Sequence, residues 1–408
     1  MYFEDEGTMI SKMLNNRVII VFGDDMHNTY GVIRSLGEAG ILPYFIDVNT
    51  KEESFVEKSR YLKQSWRVET VEKGVAILIE QFGHEEQKPV VICTSDPTIH
   101  AIDIQYDVLE SMFIIPNVRQ KQGEITRLMD KNVMRQYAKY SGFELINNLS
   151  LDLTNFEDSD LNCVNYPCLI KPTTSLEGSK KDIRICRDRT ELNRTLKELS
   201  NHVHVVEIQD YIKKDIELLL LGAVLRSGEV IMPLFWGKKR EDPKLEGSTA
   251  WAICTKDFPG FDIRKVQIFF DAIGYYGLFS IEYLVKGGKH YFLEVNLRND
   301  GNGYAPTFGG VNLPYIWVMD ALGYDVSGFK RHIVSSFHAQ IETTDFGYIL
   351  RKPYKILSWL YDTIMTECYM VASSADPDPW KEKCCYSRNF FRKLYCYLYL
   401  QLAKRRQK

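Results

Sequence analysis

The stretch from Tyr276 to Arg298 carries Glu282, Glu294, Asn296 and Arg298 inside otherwise apolar runs. Its halves read as two strands joined by a Gly287-Gly288 turn, a hairpin signal. Glu294, Asn296 and Arg298 alternate with apolar residues, so a strand points all three the same way. Carboxylates, an amide and a guanidinium on one face of a buried hairpin are costly without a ligand. Hard oxygen donors of this kind suit Mg²⁺ held together with a substrate phosphate.

A second group of candidates lies upstream. Tyr166-Pro-Cys-Leu-Ile-Lys171-Pro172 ends an apolar strand on a lysine, and the small-residue loop 173–181, with Gly178 and Ser179, follows. A strand-end lysine can neutralise phosphate oxygens while loop N–H groups cover them. The residue order of a Walker motif is absent, and a hairpin with a basic turn explains the same residues equally well. Lys131, taken singly, reads as a solvated helix residue. His202 and His204 share a strand face, but without a third ligand in view they read as a surface or packed pair. Residues 236–250 form a charged insertion, either a plain exposed loop or a lid whose cations close over phosphates.

The elements that position these groups begin with a loose tail, 1–16. Arg17–Phe22, Leu42–Asp47 and Pro89–Cys93 read as strands, with helices through Val32, Ile33 and Leu36 and through 71–79. Strand–helix alternation with short connections predicts a parallel α/β layer whose ligand-facing loops are 23–30 and 94–98. Loop 23–30 lacks G-x-G-x-x-G, which argues against a dinucleotide there. From Glu124 the pattern turns helical, and helices are expected at 191–199 and 312–322. Residues 213–221 and 222–231 read as hairpin partners.

At 408 residues the chain is long enough for two or three domains. A net charge of −3 argues against bulk nucleic-acid binding. No apolar run approaches the ~18 residues of a membrane span, and the acidic start lacks a signal-peptide layout. The nine cysteines have no framework or zinc-site spacing, which fits a reducing cytosol. The end of the chain differs, with nine Lys/Arg against one acid from Lys381 to Lys408, interleaved with aromatic and leucine residues. Such a helix either lies on the inner face of an anionic membrane or docks on its own domain with a solvated basic face.

Taken in order, these motifs resemble the ATP-grasp superfamily over residues 17 to about 325. The resemblance implies an α/β architecture, α+β in the ATP-binding part. A Rossmann-like pre-ATP-grasp domain would occupy 17–123, an ATP-grasp domain 124–325 and a C-terminal extension 326–408. It implies ATP and Mg²⁺ as cofactors. Lys131 and Lys171 would contact ATP phosphates, with Ser179 in the covering loop and Lys171 also near the adenine. The backbone of Asp210, Tyr211 and Ile212 would hold the adenine edge, and Glu217 the ribose hydroxyls. Glu282, Glu294 and Asn296 would bind Mg²⁺. Arg298 would stabilise the transferring phosphate or the acyl-phosphate, which makes it and Lys171 the catalytic pair. Many members carry Glu where this chain has Asp210, so the hinge backbone is the firmer expectation.

The segment at Glu294–Arg298 is similar to the carbamoyl-phosphate synthase large subunit, although a second synthetase half, a glutaminase and a biotin carrier are missing. The opening Phe22-Gly23-Asp24-Asp25-Met-His-Asn28 is similar to the first loop of D-aspartate ligases, which nominates Asp24, Asp25 and Asn28 for substrate contact. The implied activity is an ATP-dependent carboxylate–amine ligase. It would join an amino acid such as D-aspartate to an amine, small or on a peptide precursor of the cell wall, as a monomer or homodimer. The competing expectation is a catalytically idle nucleotide-binding protein assembling at the membrane.

Overall fold

Three β-sheets organise the chain in the computed structural model, which describes residues 16–51, 53–173, 182–241, 248–385 and 390–406. The first sheet is parallel, with Gln64–Val68, Tyr44–Val48, Ile19–Gly23 and Val90–Cys93 side by side. Ile19–Gly23 and Val90–Cys93 are buried throughout, as continuous apolar runs covered on both faces should be. Gln64–Val68 escaped the sequence reading because QSWRV is a largely polar edge strand. Helix His27–Glu38 buries Tyr30, Val32, Ile33 and Leu36 against this sheet and stops before Gly40, whose φ of +82° an L side chain rarely adopts.

The second sheet is small and antiparallel, in the order Asn148–Asp152, Val205–Asp210, Cys168–Pro172, Arg184–Cys186. Helix Arg189–Leu199 covers it, and Asp188 caps the helix by accepting the Glu191 N–H at 2.9 Å. Leu151, Ile170, Leu192, Leu196, Val206 and Ile208 form a core of their own, separate from those of the other two sheets.

The third sheet has nine strands. It runs Cys368–Tyr369, Phe337–Gln340, Thr249–Thr255, Val230–Glu241, Ile216–Val224, Tyr275–Lys286, Lys289–Asn296 and Glu144–Leu145, with Asn117–Val118 pairing beside it. Helix Arg264–Ile273 turns Val266, Phe269 and Phe270 onto one face. Phe143 stacks on Phe292 at 5.4 Å and meets the Tyr283 edge at 5.6 Å. Each such fully buried ring stabilises the fold by about 1.5–3 kcal/mol.

Two expectations change here. Residues 236–241 are not part of a charged loop: Val230–Glu241 is a strand, paired on both sides, with Lys238 and Arg240 buried. Their charges are tolerable because Glu217 faces Lys238, while Arg240 bonds Asp345 at 2.5 Å and Asp362 at 2.7 Å. Residues 242–247 lie outside the described set. The hairpin that includes Glu217 also turns later than expected, between Val224 and Val230.

The basic C-terminal helix, Phe390–Arg406, docks on its own domain. Tyr399 is buried, its ring 5.2 Å from Tyr369 and 5.7 Å from Trp380, and Leu402 and Ala403 join the same core. Among the described residues no helix is long and apolar enough to cross a membrane.

Candidate active site

Glu282 and Glu294 stand directly opposite each other on the paired strands Tyr275–Lys286 and Lys289–Asn296. The register slips immediately after them, Tyr283 facing Phe292, so Leu293 bulges. Gly287 and Gly288 close the hairpin at φ +55° and +77°, values that glycine adopts without a steric penalty. The Glu282 carboxyl is pushed up to about 8. Burial is the main cause; the Lys238 ammonium opposes it, and the Glu294 and Glu217 charges add to it.

Asn296 faces Ser280 and donates to its hydroxyl at 3.1 Å, and Ser280 donates to Asp300 at 3.0 Å. Arg298 reaches the Asn296 carbonyl oxygen at 3.5 Å. Its Nε donates to the Asp96 carboxylate at 2.6 Å. Asp96 lies just beyond the parallel strand Val90–Cys93, so loop 94–98 does face the hairpin. Burial works against the Arg298 charge, but Asp96, Asp300 and Glu294 outweigh it and hold its pKa above the ordinary arginine value.

Among the described residues no group of three or more His, Cys, Asp or Glu could hold a metal ion. Glu282, Glu294 and Asn296 instead offer two carboxylates and an amide, and Mg²⁺ ordinarily leaves further positions to phosphate oxygens and water. A divalent cation would offset the burial, and the Glu294 and Glu217 charges, that raise the Glu282 pKa. The donor set therefore fits Mg²⁺.

Lys171 sits on the small sheet opposite Glu207, and the two form an ion pair at 3.1 Å. Glu207 also accepts from Asn148 and Gln209, both at 2.7 Å, so its charge is satisfied without a ligand. Burial pushes the Lys171 ammonium down. Glu207 opposes that shift, Lys131 reinforces it and Glu294 opposes it. Lys131 and Glu294 are thus within electrostatic reach of Lys171. The small sheet, the exposed first residue of helix Lys131–Tyr140 and the hairpin converge there. Asp130 caps that helix by accepting the Asn132 N–H at 2.7 Å.

Ser179 lies outside the described residues, as does all of its loop after Thr173. At the expected hinge, the Asp210 carboxylate accepts from Asn147 at 2.9 Å and Asn165 at 3.1 Å, and the Tyr211 N–H donates to the Pro167 carbonyl at 3.1 Å. The Asp210 side chain is therefore a tether for the strand ends. Tyr211 is exposed and Ile212 half-buried.

Glu217 is more engaged than its sequence context suggested. It accepts from Lys214 at 2.6 Å and is ion-paired with Lys238, which also lies 3.5 Å from Glu282. Burial pushes the Glu217 carboxyl up, but the two lysines outweigh it and hold it below the ordinary carboxylate value. Lys238, Asp96, Glu207 and Asp300 were missed in the sequence. The spacing Trp236-x-Lys238-x-Arg240 was the available signal for Lys238, because it continues a strand alternation.

The residues nominated for substrate contact separate. Asp25 accepts from Ser54 Oγ at 3.0 Å and from the Phe55 N–H at 2.9 Å, a structural cap on the segment before Val56–Lys58. Asn28 donates to the Thr94 carbonyl, and its own carbonyl accepts from Asn299 at 3.3 Å, tying the two candidate loops together. Asp24 is half-buried and within electrostatic reach of Arg298: burial raises its pKa, and hydrogen bonds and the Arg298 charge oppose that shift.

Solved structures place this arrangement in a known architecture. The biotin carboxylase domain of Hydrogenobacter thermophilus 2-oxoglutarate carboxylase, bound to MgADP and bicarbonate, superposes with a TM-score of 0.61 at 16% identity, covering 78% of this chain and 73% of that one. An L-amino acid ligase from Bacillus licheniformis superposes at 0.58 with 14% identity, covering 79% and 80%. The chain has the ATP-grasp fold. In sequence it is similar to a formate-dependent phosphoribosylglycinamide formyltransferase of Prochlorococcus marinus (strain NATL1A), 23% identical over 284 residues, 65% of this chain and 71% of that protein. No family model matches the chain.

Proposed function

We propose that the protein is an ATP-dependent ligase that activates a small carboxylate as an acyl-phosphate and joins it to an amine. The observation that carries this reading is the convergence of Lys171 and Lys131 on a hairpin where Glu282 faces Glu294. Cations suited to phosphates thereby lie within electrostatic reach of oxygen donors suited to a metal.

A carboxylate is too stabilised to accept an amine directly. Phosphoryl transfer from ATP makes it an acyl-phosphate; the amine then displaces phosphate, leaving ADP, phosphate and an amide. Glu282, Glu294 and Asn296 would hold Mg²⁺, which would supply charge neutralisation at the phosphates. Lys171 and Lys131 bind phosphate oxygens, and the Asp210–Ile212 backbone takes the adenine edge. Glu217 shares its carboxylate between lysines and ribose. Arg298, aimed by Asp96, stabilises charge on the transferring group.

The relatives are linked to different small acids: one is formate-dependent by name, one is crystallised with bicarbonate, and one is named an L-amino acid ligase. An acid at Asp24, within electrostatic reach of Arg298, suits a substrate with a cationic amino group, which keeps amino acids, D-aspartate included, in the reading. ADP release with formate, bicarbonate and D- and L-amino acids, each with and without candidate amines, tests it. Amine-dependent release with one carboxylate supports the ligase. ATP binding without turnover on any pair would favour an idle nucleotide-binding protein.

A further inference from the structure

Helix Ile356–Met365 packs through a narrow strip, Trp359 and Thr363, and leaves most of its apolar residues outside. Leu357 is 80% exposed, Tyr361 66% and Ile364 55%, and the neighbouring Leu350 and Tyr354 are 65% and 76% exposed. At 3.6 residues per turn, Ile356, Leu357, Leu360, Tyr361, Ile364 and Met365 cover about half the helix circumference. A contiguous apolar face of this kind on a water-soluble surface marks a contact site.

The rim at the start of the helix is cationic. Arg351, Lys352 and Lys355 occupy the turn between helices Glu342–Arg351 and Ile356–Met365, and no acid occurs from Phe346 to Tyr361. Arg406 donates to the Ile364 carbonyl at 2.8 Å, which brings the exposed basic end of the last helix, Lys404 to Arg406, against the same face. The inner side is firmly held: Trp359 Nε1 donates to Asp345 at 2.6 Å, and Asp362 accepts from Arg240 at 2.7 Å.

We propose that this face docks on an anionic phospholipid bilayer. Its apolar residues would enter the headgroup–acyl boundary, and the lysines and arginines would pair with lipid phosphates. Charge decides between this occupant and a second copy of the chain. A two-fold contact would press two cationic rims together, whereas an anionic surface neutralises both. The helix is far too short to span a bilayer, so the contact is peripheral. The docked Tyr399 helix contributes basic side chains to it but not its apolar side.

Cosedimentation of the full chain with phosphatidylcholine vesicles, with and without phosphatidylglycerol, tests the proposal. The expected result is binding to the phosphatidylglycerol vesicles alone, weakened by salt and reduced at least about tenfold by Leu357→Glu with Tyr361→Glu. Lys352→Ser with Lys355→Ser should weaken binding similarly. Leu357, Tyr361 and Lys355 are exposed and Lys352 is half-buried with no ion pair among the described residues to lose, so the thermal melt of each variant should match wild type and exclude unfolding. Absence of wild-type binding, or equal binding by the Leu357→Glu/Tyr361→Glu variant, would overturn the proposal. So would a dimer in analytical ultracentrifugation that this variant dissociates while vesicle binding is absent, since the occupant would then be a second copy.

Discussion

Arg298 and Asp96 meet in a 2.6 Å ion pair that joins the end of the Glu282–Glu294 hairpin to a loop of the parallel sheet, more than two hundred residues away in the chain. Arg298 is the buried partner, with 15% of its side chain exposed against 62% for Asp96. The pair is thus a device for aiming a guanidinium rather than a source of stability, since exposed pairs contribute little.

Asp96→Ala is therefore expected to leave the melting temperature near wild type. It should lower kcat/KM for the carboxylate about tenfold or more by loosening Arg298, with nucleotide affinity unchanged. Steady-state kinetics with each substrate varied in turn check this. An equal loss in nucleotide affinity would mean that Arg298 serves the ATP phosphates instead.

Lys171→Met should raise the KM for ATP at least about tenfold. It should also cost about 1–3 kcal/mol of stability, because Glu207 keeps its burial and loses its cation. Adding Glu207→Gln should restore most of the stability but none of the ATP affinity. Urea unfolding alongside ATP titration separates the two effects.

His27 is half-buried, and its pKa is held down to about 4. Burial is the main cause, the Lys383 charge adds to it, and Asp300 opposes. Between that value and the ordinary 6.5 the unfolded chain binds a proton that the native state does not. Stability present above pH 6.5 is consequently lost as the pH falls toward 4. His27→Gln should flatten the unfolding free energy across this window. An unchanged slope would assign the acid sensitivity to other groups.

Tyr399→Ala removes a fully buried ring that packs on Trp380 and Tyr369. A loss of about 3 kcal/mol in urea unfolding is expected if the last helix is part of the folded core. A loss near zero would contradict the docked position.

Much of this was legible from local chemistry. The hairpin was readable because Gly287-Gly288 interrupts two alternating runs, and Glu282 and Glu294 were the acids within them. Lys171 stood out at a strand end. What local pattern could not carry is pairing between distant segments. Asp96 has no unusual neighbours until the fold delivers Arg298, and Lys238 looks like a loop cation until Glu217 is placed beside it. The same limit explains Asp25, a plausible substrate ligand in sequence that becomes a cap once Phe55 arrives. The basic tail showed both apolar and cationic character, but only packing reveals that Tyr399 faces inward.

The central claim is that the carboxylate attacks ATP and leaves as an acyl-phosphate before the amine arrives. Turnover of a carboxylate labelled with oxygen-18, followed by mass analysis of the released phosphate, tests it most directly. The account predicts that a carboxylate oxygen appears in the phosphate, and that Glu294→Ala and Asn296→Ala abolish both turnover and transfer. Phosphate free of label during amide formation would contradict it.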